Sequence, residues 1–257
     1  MKMLILCMLM VAMQPQTYIN EFPHPRMVIH FHPNIGQFKL DDLKFALDHR
    51  VHAVELDLHL RDGEVVCNHD SATPESPTLR QALDMIFRRK RHDGFQFFVV
   101  LEPKENSGAL FEALLKVLGD YRTHLSTSPE RISPRGVTVV ITGSYPLEFY
   151  SHFPMESVNR LCIAEGHDYS REIINLPEHH TIFQWVSIKH SKRLGEDARR
   201  VRALHDGTDP AIPGKYNVRI WDCHADLADA LSSGADSLNC DRDELEAFQR
   251  VLHKKSH

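Results

Sequence analysis

In VELDLHLRDGEVVCNHD, residues 54–70, two carboxylates stand two positions apart, and a His-Asp pair begins twelve residues after the second. In a strand, residues i and i+2 share a face, so Glu55 and Asp57 point one way while Val54, Leu56 and Leu58 point the other. Two like charges directed into protein are costly unless something positive neutralises them. A divalent cation with oxygen ligands is the economical partner, because this spacing lets both carboxylates converge on it. The next apolar run, FFVVLEPK, ends in a third carboxylate, Glu102, with Lys104 two residues on. Read without an ion, the three are strand ends with ion-pair partners, Lys104 pairing with Glu102. Replacing Glu55 by Gln and Asp57 by Asn is then expected to relieve repulsion in the metal-free fold. Histidines are delivered to the same end: His30 and His32 by MVIHFH, and His69 by GEVVCNHD after a short DG turn. An imidazole gives or takes a proton near neutral pH, so two of them beside a metal-bound group form an acid-base pair. His32 is preferred to His30 for that pair because it lies nearer the strand's end; most of the 18 histidines need no role.

The elements that must position these groups follow a regular alternation. Strands are expected at 27–32, 52–60, 95–102, 137–142, 160–165, 181–189, 216–223 and 236–241, each a short run rich in β-branched or aromatic residues. Helices are expected in LDDLKFALDHR, SPTLRQALDMIFRRKR, SGALFEALLKVLGDYRTHL, GEDARRVRALHDG and HADLADALSSG. Leu40, Leu43 and Leu47 share a face of the first, and Ser76 and Ser107 are expected to cap the second and third. Eight strands alternating with helices over some 250 residues is the size and rhythm of an α/β fold of the (β/α)8 TIM-barrel type, with a doubly wound open sheet as the alternative. In a barrel, charged residues closing apolar strands mark the C-terminal mouth, where active sites form.

With 257 residues, 42% hydrophobic and 25% charged, the chain is long enough to bury a large core, and a net charge of -5 gives no general basic field for nucleic acid. RRKRH, residues 88–92, sits where positive charge suits a helix C-terminus and reads as a solvated helix end. Residues 1–16, MKMLILCMLMVAMQPQ, have the shape of a secretory signal peptide, which leaves residues 24–254 as one barrel domain. The expected location is secreted or periplasmic, or cytoplasmic if that segment stays. No other segment is apolar enough to cross a membrane. Cys67, Cys162, Cys223 and Cys240 form no C-x-x-C pair and read as buried thiols in or beside strands.

Taken together, HFHPN, ALDHRVHAVELDLHLRDGEVVCNHD, PTLRQAL and VVLEPK resemble the glycerophosphodiester phosphodiesterase and phosphatidylinositol phospholipase C superfamily. Its order is a first-strand His, E-x-D on the second strand, a DG-x-x-V-x-x-HD hairpin, T-L-x-x-x-L, and E-x-K closing the third strand. VRIWDCHADLADALSSGADSLNCD resembles its late W-T-x-N strand, G-x-D turn and last strand ending in Asp, so the likeness covers residues 27–104 and 218–241. HFHPN and VVITGSYP look closest to the branch of the altered-inheritance-of-mitochondria proteins. The resemblance implies a PLC-like TIM barrel acting on a small-molecule or lipid phosphodiester. Glu55, Asp57 and Glu102 would hold one divalent cation, Mg or Ca. His32 and His69 would be the catalytic pair, and Lys104, Trp221, His30 and Asn34 would bind substrate. The chain departs from the commoner H-R-G opening by carrying Pro33 where that arginine would contact the phosphodiester.

Two other readings remain. An amidohydrolase-like zinc hydrolase would use His30, His32, His167, His190 and Asp241 as ligands, but it leaves Glu55, Asp57, Glu102 and the NHD hairpin without a task. A barrel that binds but no longer turns over is the second, motivated by Pro33.

Overall fold

A computed structural model describes residues 26–30, 37–49, 51–89, 97–125, 137–143, 163–167, 183–191, 193, 195–212, 214–223 and 227–255. The strands are β1 (Arg26–His30), β2 (Ala53–Arg61), β3 (Glu64–Cys67), β4 (Phe97–Pro103), β5 (Val137–Ile141), β6 (Ile163–His167), β7 (Phe183–Lys189), β8 (Asn217–Trp221) and β9 (Ser237–Cys240). The described helices are α1 (Leu40–Asp48), α2 (Leu79–Arg88), α3 (Gly108–Asp120), α4 (Glu196–Asp206), α5 (Leu227–Ser232) and α6 (Leu245–Lys255). Neighbours run β1-β9-β8-β7-β6-β5-β4-β2, all parallel, and β1 also pairs with β2. That last pairing closes the ring, so the fold is a (β/α)8 barrel and the open doubly wound sheet is excluded.

The closed ring explains why β2 and β4 are buried almost throughout: one set of alternate residues packs under the helices, the other fills the barrel. Val54, Leu56 and Leu58 belong to the outer core with Leu43, Leu83 and Leu114 of the helices. Val28, Ala53, Phe98, Val100, Val140 and Trp185 form a separate interior plug, with the Phe98 and Trp185 rings 5.9 Å apart, edge to face. Beyond the plug the next inward residue is polar on four strands: Glu55 after Ala53, Glu102 after Val100, Thr142 after Val140 and Ser187 after Trp185.

The DG turn forms as expected. Asp62 (φ 51) and Gly63 (φ 80) both adopt left-handed backbone, as a two-residue hairpin requires, and β3 folds back antiparallel on β2. One cap differs. The α2 N-cap is Thr78, whose hydroxyl accepts from Gln81 N while Gln81 Oε1 accepts from Thr78 N at 2.8 Å. Ser76, expected as the cap, instead accepts from Thr73 N at 2.9 Å, because two further residues separate it from the first helical turn. Ser107 caps α3 as expected. Arg88 pairs with Asp84 and Arg89 with Asp48 of α1, so these two arginines of the basic run decorate a helix end. Several strand ends move: β4 runs one residue further, to Pro103, and β6 two further, to His167. The expected leader and Cys162, like His32, Pro33 and Asn34, lie outside the described residues. Cys67, Cys223 and Cys240 are free and buried. Among the described residues no helix is long and apolar enough to cross a membrane.

Candidate active site

Parallel pairing puts Asp57 of β2 directly beside Glu102 of β4, and His30 of β1 beside Glu55, so the chemistry-bearing positions predicted on three separate strands share one end of the barrel. Below them lies a residue given no role above. Arg219 of β8 is 2% exposed, a guanidinium in the middle of the barrel. Its Nε donates to Glu165 Oε1 at 2.8 Å, Nη2 to Glu165 Oε2 at 2.6 Å, and Nη1 to Glu55 Oε2 at 2.8 Å and Asn239 Oδ1 at 2.9 Å. Thr142 Oγ1 accepts from Nη2 at 3.2 Å, and Asn239 Nδ2 donates to Glu55 Oε2 at 2.5 Å. Burial opposes the charge on Arg219, but Glu165 and Glu55 outweigh it and its pKa is raised.

One turn of the barrel higher, Lys104 Nζ sits between Asp57 Oδ1 (3.2 Å) and Glu102 Oε2 (3.0 Å). It therefore pairs with both carboxylates, not with Glu102 alone. Burial works against its charge, and Asp57 and Glu102 more than restore it. Glu102 itself is pushed up to about 7, first by burial and then by the charges of Glu55 and Asp57, with Lys104 opposing. Its position depends on Gly143, just past β5: a Cβ there would fall 2.8 Å from Glu102 Cγ, and the backbone is left-handed at φ +76.

His69 reaches this level on the hairpin. Nε2 stands 3.9 Å from Asp57 Oδ2, and Nδ1 lies 2.8 Å from Asp70 Oδ1, a contact that fixes the ring orientation. The hairpin is held in place by Asn68, whose backbone N donates to Asp57 O at 3.0 Å and whose Oδ1 accepts from Phe38 N at 3.1 Å. Buried His59, inward on β2 after Asp57, places Nε2 at 3.3 Å from the His69 carbonyl and Nδ1 at 3.3 Å from Glu105. At the rim, Trp221 closes β8 with the Lys189 ammonium 5.1 Å above its ring.

The structure thus brings Glu55, Asp57, Glu102, Lys104 and His69 together. It does not bring His190 with them: that imidazole is hydrogen-bonded to Asp197 of α4, on the helix side of β7, which removes a ligand from the zinc-hydrolase reading. Sequence reasoning assigned all neutralisation of the acidic face to a metal and passed over Arg219 and Glu165. The signal was present, since VRIW carries a charge at an inward position of a strand just as VELDL does. The residues nonetheless fit a divalent ion. Among the described residues four carboxylates, Glu55, Asp57, Glu102 and Glu165, crowd around the two cations Arg219 and Lys104, and the raised Glu102 carboxyl is the mark of that crowding.

No protein-family model matches the chain, and no curated protein matches it. Solved structures do. A glycerophosphodiester phosphodiesterase from Agrobacterium tumefaciens superposes with a TM-score of 0.55 at 16% identity, over 88% of this chain and 100% of that one. The phosphatidylinositol-specific phospholipase C from Listeria monocytogenes gives 0.50 at 8% identity, over 91% of this chain and 96% of that one. A mutant tryptophan synthase α-subunit from Pyrococcus furiosus gives 0.51 at 12%, over 90% and 95%. The shared feature is the barrel. At these identities the likeness speaks for the (β/α)8 fold, and chemistry has to be argued from the barrel's mouth.

Proposed function

We propose that this barrel is a phosphoric diester hydrolase using one divalent cation, Mg or Ca, held by Glu55, Asp57 and Glu102. The observation that carries the reading is the placement of a carboxylate-oriented imidazole, His69, over the clustered carboxylates Asp57 and Glu102 beside the Lys104 ammonium. The sequence resemblance points to the same residues, and two of the barrels it superposes on carry phosphodiesterase or phospholipase names.

The cation, when bound, acts as a Lewis acid toward a phosphoryl oxygen. The chain's own groups do the rest. With Nδ1–H donated to Asp70, Nε2 of His69 is the basic nitrogen and takes the proton from the attacking oxygen, either water or a substrate hydroxyl adjacent to the phosphate. His32, with His30 as the other candidate on that strand, returns a proton to the leaving alkoxide. Lys104 stabilises charge developing on the phosphoryl oxygens. Trp221 and Asn34 flank the substrate, which is a small glycerophosphodiester or a lipid, met outside the cell once residues 1–16 are removed.

Calorimetric titration with Mg and Ca tests the reading. The native chain should bind one ion, Glu55→Gln with Asp57→Asn should not, and Glu102→Gln should bind at least about 10-fold more weakly. Unchanged affinity in all of these variants defeats it.

A further inference from the structure

His59 stands between Leu58 and Leu60 of β2 and has no part in the reaction above. It follows Glu55 and Asp57 on the inward face of the strand, one step nearer the mouth. An imidazole that is 8% exposed is costly to bury unless its nitrogens are bonded, and both are. Nε2 lies 3.3 Å from the His69 carbonyl oxygen, and Nδ1 lies 3.3 Å from Glu105 Oε1. Both partners are acceptors, so the ring donates from both edges, and bonds on opposite edges fix its rotation.

The two bonds reach two different segments of the chain. The His69 carbonyl belongs to the peptide that joins His69 to Asp70, so holding that peptide plane places both the imidazole and the carboxylate bonded to its Nδ1. That pair needs an anchor from below, because the His69 side chain is 25% exposed and that of Asp70 75%. Asn68 N, bonded to Asp57 O, fixes the chain just before His69, and His59 fixes it just after. On the other edge, Glu105 directly follows Lys104 in the turn that leaves β4. There Lys104 N donates to Leu58 O at 3.0 Å and Ser107 N to Glu105 O at 2.9 Å. His59 thus sits on the strand that supplies Glu55 and Asp57, and touches both the hairpin of His69 and the turn of Lys104.

We propose that His59 is a positioning residue for the phosphodiester reaction read above, on which this inference rests. Through the main-chain carbonyl of His69 it sets the reach of the Nε2 base over Asp57, and through Glu105 it ties that reach to the turn carrying Lys104. A displacement of about 1 Å in such a group costs up to about 100-fold in rate. His59 contacts His69 and Glu105 rather than the reacting atoms, so the loss falls on kcat and not on KM.

The test compares three variants of the full chain. His59→Phe keeps a planar ring and loses both donors; it should lower kcat by about 10- to 100-fold with KM within about 3-fold of native. Its affinity for Mg or Ca by calorimetry should match the native chain. His59→Gln sets an amide donor near the Nε2 position and should recover most of the lost rate. His59→Asn, whose shorter amide ends near the Nδ1 position, should not; a merely structural role gives no such ordering. The carbonyl carbon-13 resonance of His69 reads the bond without turnover: it should move upfield in the Phe and Asn variants and return toward native in the Gln variant. If His59→Phe fails to fold, the Gln and Asn pair decides. Native kcat in His59→Asn, or a His69 carbonyl resonance that His59→Asn leaves in place, overturns the proposal. No turnover by the native chain overturns the phosphodiester reading instead, and the resonance then decides by itself whether His59 holds the His69 hairpin.

Discussion

Arg219 is the residue on which the barrel interior should depend most, and Arg219→Met makes that quantitative. The substitution keeps an unbranched, apolar stem but removes the charge-assisted hydrogen bonds that Arg219 makes to Glu55 and Glu165, both at most 3% exposed. Removing one member of a buried ion pair costs about 3–5 kcal/mol, because the partner is left charged and buried. For a chain of this size each kcal/mol lowers the melting temperature by about 2–4 °C, so the variant should melt about 6–20 °C below the native protein. Urea and thermal unfolding followed by circular dichroism give both numbers. A second substitution locates the cost: Arg219→Met combined with Glu165→Gln should recover more than about 1 kcal/mol, since one stranded charge is gone. A single variant that melts within about 2 °C of the native protein would refute the reasoning.

Glu55→Gln in metal-free protein should be less stable by about 1–3 kcal/mol by urea denaturation, because Glu55 accepts charge-assisted bonds from Arg219 and an amide bond from Asn239. Gly143→Ala should cost about 1–2 kcal/mol from left-handed backbone alone and should also weaken ion binding, because the new Cβ meets Glu102 Cγ at 2.8 Å; calorimetry and unfolding separate the two effects. His205, at the end of α4, is held above its ordinary value of 6.5 mainly by its hydrogen bond to Asp236. A raised folded pKa means that the contribution is complete below 6.5 and lost as pH rises through the folded value. Native protein should therefore lose stability relative to His205→Gln as pH rises from 6 to 9, and parallel pH profiles of the two would contradict this.

The barrel was legible because periodicity alone betrays it: β2 and β4 alternate outward aliphatics with inward residues whose chemistry changes from apolar to acidic toward the mouth. The acidic positions and the DG hairpin were legible for the same reason, being local patterns of spacing and turn chemistry. What stayed hidden was pairing across distance. Glu55 and Arg219 lie 164 residues apart and meet only because the ring closes through β1 and β9. Without that contact the acidic face looked repulsive, and relieving it looked stabilising. With it, Glu55 becomes a bonded member of the core, so Glu55→Gln with Asp57→Asn would remove hydrogen bonds to Arg219 and Asn239 as well as repulsion. Gly143 was equally silent, since its role exists only where β5 passes beside Glu102. Ser76 failed as a cap because Thr78 stands nearer the first turn with Gln81 at the matching position.

Phosphorus NMR of a glycerophosphodiester and phosphoinositide panel, incubated with the native chain in Mg or Ca, reaches the central claim most directly. A new phosphomonoester or cyclic phosphate resonance should grow in, vanish on chelation, and slow by about 100-fold or more in His69→Ala. Turnover that persists in His69→Ala, or no product from any substrate of the panel with either ion, would contradict it.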